Sequence, residues 1–174
     1  MSRKKKTVDM SGTVEDMISH AQSDSEELRD ELQNWLDNLP ENLQGGSKAD
    51  ELESAISELE EGSDYISNTT VPERFASLKV PLQIPVGRKY TSRSWRLSFC
   101  QQYLDEAKGV IEGEVANIDS EIEEISEKRK EPTEADEKKI DELESLKDEA
   151  ESICDELQSA SDSWSGVSFP SMFG

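Results

Sequence analysis

The side chains best suited to catalysis or metal binding are few in this chain, and they are scattered. His20 is the single histidine, and no cysteine or second histidine stands at metal-ligand spacing from it. Cys100 and Cys154 are far apart with no CxxC spacing, which fits reduced, half-buried thiols rather than a zinc site or a disulfide framework. Forty Asp and Glu residues supply carboxylates in abundance. Pairs at general acid–base distance therefore arise by chance, and without a pocket or a shifted pKa none is singled out. The sequence has no P-loop, GxGxxG, GxSxG or EF-hand pattern. The expectation is a protein with no catalytic residues, no metal and no cofactor.

Recognition is better served than catalysis. The stretch SLKVPLQIPVGRKYTSRSWR, residues 77–96, contains no acid and five Lys or Arg in an otherwise acidic chain. Val80, Leu82, Ile84 and Val86 alternate along an extended run, with Pro81 and Pro85 in the opposite phase. Both missing N–H donors then fall on one edge, so the segment can pair only through the other. That edge is open to a partner's sheet, or the segment lies against its own helices. Trp, Tyr and Arg dominate interface hot spots. The candidate protein-binding residues are accordingly Arg88, Lys89, Tyr90, Arg93, Trp95, Arg96 and Phe99, joined by Trp164, Phe169 and Phe173 from the C-terminal end. A plainer reading makes the same aromatics a local mini-core, with Arg88, Lys89, Arg93 and Arg96 paired to helix carboxylates. RNA stacking is disfavoured by the acidic blocks on either side.

These residues must be held by helices. Val14, Ile18, Ala21, Ser25, Leu28, Leu32, Trp35 and Leu39 step by three and four, as do Ala49, Leu52, Ile56, Leu59, Ser63 and Ile66. Pro40 stops the first run, and Ser47 with Asp50 resembles a capping box for the second. Residues 12–68 therefore read as a short antiparallel helical hairpin. A longer hairpin over 95–164 follows from Leu97, Leu104, Ile111, Ile118 and Ile125, with a return seam of Ile140, Leu143, Lys147, Ala150, Cys154, Leu157, Ser161 and Trp164. Thr133 with Asp136 caps the return helix. Folding there pairs Ile122 with Leu143, sets Cys100 near Trp164, and gathers Trp95, Phe99 and Trp164 at one end.

The predicted fold is thus all-α: two antiparallel helical hairpins, coiled-coil-like, joined by a basic extended connector at 69–94. Residues 1–11 read as a disordered basic arm and 165–174 as an aromatic tail, either tucked back or offered as a docking peptide. Ser25, Ser63, Lys147 and Ser161 keep the seams from being dry. Either the hairpins pack into a four-helix arrangement or the chain forms a homo-oligomer to complete its core.

Apolar residues make up 33% of the chain and charged residues 34%, against a typical apolar share of roughly 45–50%. The formal charge is −21, with two blocks of −15 flanking a +5 centre at 71–100. Direct nucleic-acid binding is disfavoured, and a protein partner with a basic surface is the natural counterpart. MSRKKK is not followed by an apolar stretch, and no run nears the ~20 apolar residues of a membrane span. The expected setting is cytoplasmic, without membrane contact.

EELRDELQNWLDNLPENLQGGSKADELESAISELEE, residues 26–61, together with the tail SFPSMFG, resembles small acidic uncharacterised proteins of tailed bacteriophages. The resemblance implies a phage–host setting and carries no activity. The leading expectation is a non-catalytic protein binder, an inhibitor or adaptor. The alternatives are a nucleic-acid mimic, whose acidic helix faces occupy a DNA- or RNA-binding groove, and a scaffolding oligomer.

Overall fold

The computed structural model describes residues 6–127 and 133–170. Four long helices pack against one another: α1 (Val14–Asp37), α2 (Ser47–Ser67), α4 (Arg93–Glu127) and α5 (Glu134–Ser165). A one-turn helix, α3 (Glu73–Ala76), and two short strand pairs occupy the rest. Of the two ways to complete the seams, packing of hairpin on hairpin is the one observed: α1 borders α2 and α4, and α5 borders α2 and α4. No described helix is long and apolar enough to cross a membrane.

The expected seams face inward. Val14, Ile18, Ala21, Leu28 and Leu32 of α1 are buried against Ala49, Leu52, Ile56, Leu59 and Ile66 of α2. The polar seam positions are satisfied: Ser25 and Ser63 share a hydrogen bond of 2.9 Å between hydroxyls, and Ser25 also donates to the Gln22 carbonyl. On the long hairpin Lys147 pairs with Asp119, and Lys108 donates to Gln158. That register is the one expected from Ile122 opposite Leu143. α4 is continuous over 35 residues.

Thr133 caps α5 as predicted: its hydroxyl accepts from Asp136 N–H while the Asp136 carboxylate accepts from Thr133 N–H. The same reciprocal pair, Thr13 with Asp16, opens α1. The expectation for α2 is corrected. Gly46 is its N-cap, without a side-chain hydrogen bond, and Ser47 is already helical.

The N-terminal segment also departs from expectation. Residues 1–5 lie outside the described residues, but within the expected disordered arm β1 (Thr7–Asp9) is a strand, and β2 (Gly12–Thr13) is a second strand at the start of the expected hairpin. β1 pairs antiparallel with β4 (Gln83–Pro85), and β2 with β3 (Lys79–Val80). The intact edge of the connector is the one used: Val86 N–H donates to the Lys6 carbonyl, and Leu82 N–H to the Ser11 hydroxyl. Pro81 and Pro85 lack donors on the opposite edge. The strand's partner is therefore the chain's own N-terminal segment, which occupies the edge a foreign strand would need. The ribbon buries Val80 and Leu82 and packs on α1 and α4. The connector is not extended throughout, since it includes α3 and a 3-10 turn at Arg88–Tyr90.

Cross-helix contacts fix the relative heights. His20 lies beside Tyr103, and Glu31 beside Arg93 and Arg96, so α1 and α4 are antiparallel. At that offset Val14, the first residue of α1, is level with Gly109 and Val110 of α4. Thr69, just past α2, meets Glu156 of α5 at the same height. Beyond this level α1 and α2 end and α4 and α5 continue as a two-helix arm, whose base is still flanked by β3 and α3 as far as Glu121 and keeps Ile118 fully buried. Its α4 strand has about 17 residues, roughly 25 Å at ~1.5 Å per residue.

Candidate functional site

The end of the four-helix body opposite the arm brings together the C-terminus of α1, the N-terminus of α4 and the tail. The connector delivers Tyr90 there by way of the 3-10 turn, and the first two turns of α4 place Trp95 and Phe99 one turn apart on one face. The Tyr90 and Trp95 rings meet edge-on, centroids 4.9 Å apart at 81°. Phe99 lies 6.1 Å from Trp95 and 6.4 Å from Tyr90. Trp95 nevertheless remains 42% exposed. Aromatic pairs in this geometry are mutually stabilising, so the trio presents a pre-ordered apolar surface.

The basic residues divide into two groups. Arg96 pairs with Glu31 and with Glu27 (3.1 Å), and Arg93 Nε donates to Glu31 at 3.2 Å. Burial works against ionisation of Glu31, but the two guanidinium groups outweigh it and hold its carboxyl below the usual glutamate value. The Arg93 guanidinium also lies 5.3 Å from the centre of the Trp35 ring, and Lys48 approaches the same ring at 5.7 Å. Arg93 and Arg96 are thus internal fasteners between the hairpins, and Lys48 is one within the short hairpin. Arg88 and Lys89 are exposed and, among the described residues, form no ion pair. The Lys89 ammonium rests 4.6 Å from the centre of the Tyr90 ring.

The ten predicted residues therefore do not form one cluster. Exposed Trp95, Arg88 and Lys89 form the head with the half-buried Tyr90 and Phe99, while Arg93 and Arg96 brace it from beneath. Phe169 is half-buried, and with Pro170 it borders a shallow groove shared with Glu31, Thr91, Ser92, Arg93, Ser94 and Arg96. The tail is thus tucked back over residues 167–170, and Phe173 lies outside the described residues. Trp164 is the correction. It is 1% exposed, its indole N–H donates to the Leu59 carbonyl at 3.3 Å, and it lies against Gly62 in the core. Glu27, Glu31 and Trp35 were missed as members of this end. The signal was present in Glu27 and Glu31, which stand four apart on the flank of the α1 seam with Trp35 four further on.

The remaining reactive side chains are quiet. Burial raises the Cys100 thiol far above its ordinary value and the Cys154 thiol to about 11, which favours the protonated form of both. His20 is exposed beside the Tyr103 ring. Among the described residues no three His, Cys, Asp or Glu side chains are arranged to hold a metal ion. No protein-family model matches this chain, and no curated protein or solved structure matches it either.

Proposed function

We propose that this is a non-catalytic acidic helical protein that binds another protein through its aromatic-basic head, as an inhibitor or adaptor in the cytoplasm of a phage host. The observation that carries the reading is the exposed Trp95, stacked with Tyr90 and Phe99 beside Arg88 and Lys89. A solvent-facing tryptophan in a pre-ordered aromatic group is the surface chemistry of an interface hot spot. The acidic helix flanks suit a partner whose surface around the docking point is basic, because opposite fields steer encounter.

The second reading, a nucleic-acid mimic, draws support from the arm. Glu123, Asp141 and Glu144 are exposed there on both of its helices. Glu121 is not part of that surface, because Arg74 engages it. A scaffolding oligomer is the third reading, and the half-buried seam residues Val115, Ile122, Ile125 and Leu146 of the arm are what it would cover.

Affinity capture from bacterial host lysate, read by mass spectrometry, separates the two readings. The wild-type protein is compared with Trp95→Ala and with a Glu123→Lys, Asp141→Lys, Glu144→Lys variant. The head reading expects the same partner with wild type and the arm variant, and its loss with Trp95→Ala while the circular dichroism spectrum is unchanged. Retention by Trp95→Ala and loss by the arm variant would transfer the binding surface to the arm.

A further inference from the structure

α4 contains two glycines, Gly109 and Gly113, one turn apart. Both are exposed, and a Cβ added at either position meets nothing within 4 Å. No close approach accounts for them, and each weakens the helix interior. The helical hydrogen bond from Gly113 N–H to the Gly109 carbonyl has no side chain at either end to shield it from water.

Their position gives them a meaning. Gly109 is level with the start of α1, where α4 loses that neighbour and keeps only β3 and α3 beside it on the way to the arm. At the same height the α4–α5 seam opens to a groove of about 520 Å³ between Val115, Ala150 and Cys154, with Lys108 and Glu112 at its rim. Besides the packing of β3 on α4, an ion-pair contact spans the junction from the side. Phe75 of α3 is fully buried, which fixes α3 to the body. From there Arg74 Nε donates to Glu114 at 2.8 Å and Nη2 to Glu121 at 2.5 Å, both beyond the glycines.

We propose that Gly109–Gly113 is a joint about which the two-helix arm tilts against the four-helix body, and that Arg74 is the strut that sets the tilt. The α4 turn opens and recloses, while α5, which has no glycine, flexes as a continuous helix. The tilt sets the angle between the acidic arm and the aromatic head, whichever of them binds a partner.

Pulsed-EPR distances between nitroxides at Ser67→Cys on the body and Glu123→Cys on the arm test this in the full-length protein. Cys100→Ala and Cys154→Ala are built into every protein compared, since Cys154 lines the groove and only the introduced cysteines are to carry label. The expected distance distribution is broad. It narrows with Gly109→Ala, Gly113→Ala and broadens further with Arg74→Gln. Hydrogen exchange provides the local check. Amides 106–117 are expected to exchange faster than both flanking stretches of α4, and the double alanine variant to slow them roughly ten- to thirtyfold, in line with the helix propensities. Equal distance widths in all three proteins, or exchange that rises steadily toward the arm tip without a local maximum, would overturn the joint. A width that Arg74→Gln leaves unchanged would overturn the strut.

Discussion

Trp95 and Trp164 have the same side chain and lie toward the same end of the long hairpin, yet one is 42% exposed and the other 1%. The difference lies in what stands opposite. Trp164 faces α2, where Leu59 offers a carbonyl and Gly62 leaves room for the indole; a Cβ on Gly62 would fall 2.1 Å from the indole nitrogen. Gly62→Ala gains about 1 kcal/mol in helix propensity, but it must displace a fully buried ring and its hydrogen bond. Overpacking of this kind costs about 1–3 kcal/mol and a lost buried hydrogen bond about 1–3 more. The expected net result is a loss of about 1–5 kcal/mol and a lower Tm, with a red-shifted tryptophan emission as Trp164 is pushed from its site. Gly109→Ala, with open space beside it, is expected to raise Tm instead. The aromatic residues of the head could be named from the sequence because type and spacing suffice for that. Their division into exposed and core members could not, because it depends on a glycine in the other hairpin.

At the scale of elements, local chemistry was legible where it was self-contained. Thr133 and Asp136 need only each other, and both the expected cap and the α5 start are found. Ser47 with Asp50 shows the same spacing, yet Gly46 takes the extended cap conformation, φ −111 and ψ 174, and places Ser47 inside the helix. Unfolding in urea should separate the two sites. Thr133→Ala is expected to cost about 1 kcal/mol, the usual cost of a lost side-chain cap, and Ser47→Ala almost nothing. Equal costs would mean that Ser47 caps α2 in solution. The connector shows the opposite limit. Its two prolines revealed which edge could pair, because a missing N–H is a local fact. Its partner, Thr7–Asp9, is three residues long with every residue exposed, too short and too polar to show an alternating pattern.

The whole molecule is governed by its charge of −21, and its response to pH is a competition between two kinds of carboxylate. Asp24 and Asp105 are pushed above their ordinary value of 3.8 by burial. The native state binds their protons more readily than the unfolded chain does, so stability rises as the pH falls from neutral toward 3.8. Glu121, through its hydrogen bonds with Arg74, and Glu31, whose arginine pairs outweigh its burial, are held below 4.5. Asp16 is held below 3.8 by its hydrogen bonds with Thr13. Their contribution is fully present above the unfolded values and is lost as the pH drops through the folded ones. Protonation of the many exposed acids also relieves self-repulsion on the way down. Urea denaturation at successive pH values should therefore show stability climbing from pH 7 to a maximum on the mildly acidic side, then falling once Glu31 and Glu121 protonate. Salt should act in the same direction at neutral pH. Raising ionic strength from ~0.01 to ~0.15 M shortens the screening length from ~30 to ~8 Å, which weakens repulsion among spaced surface acids more than it weakens the contact pairs at Arg74 and Arg96. A protein that loses stability with added salt at pH 7 would be one in which those few ion pairs outweigh the repulsion of the whole acidic surface.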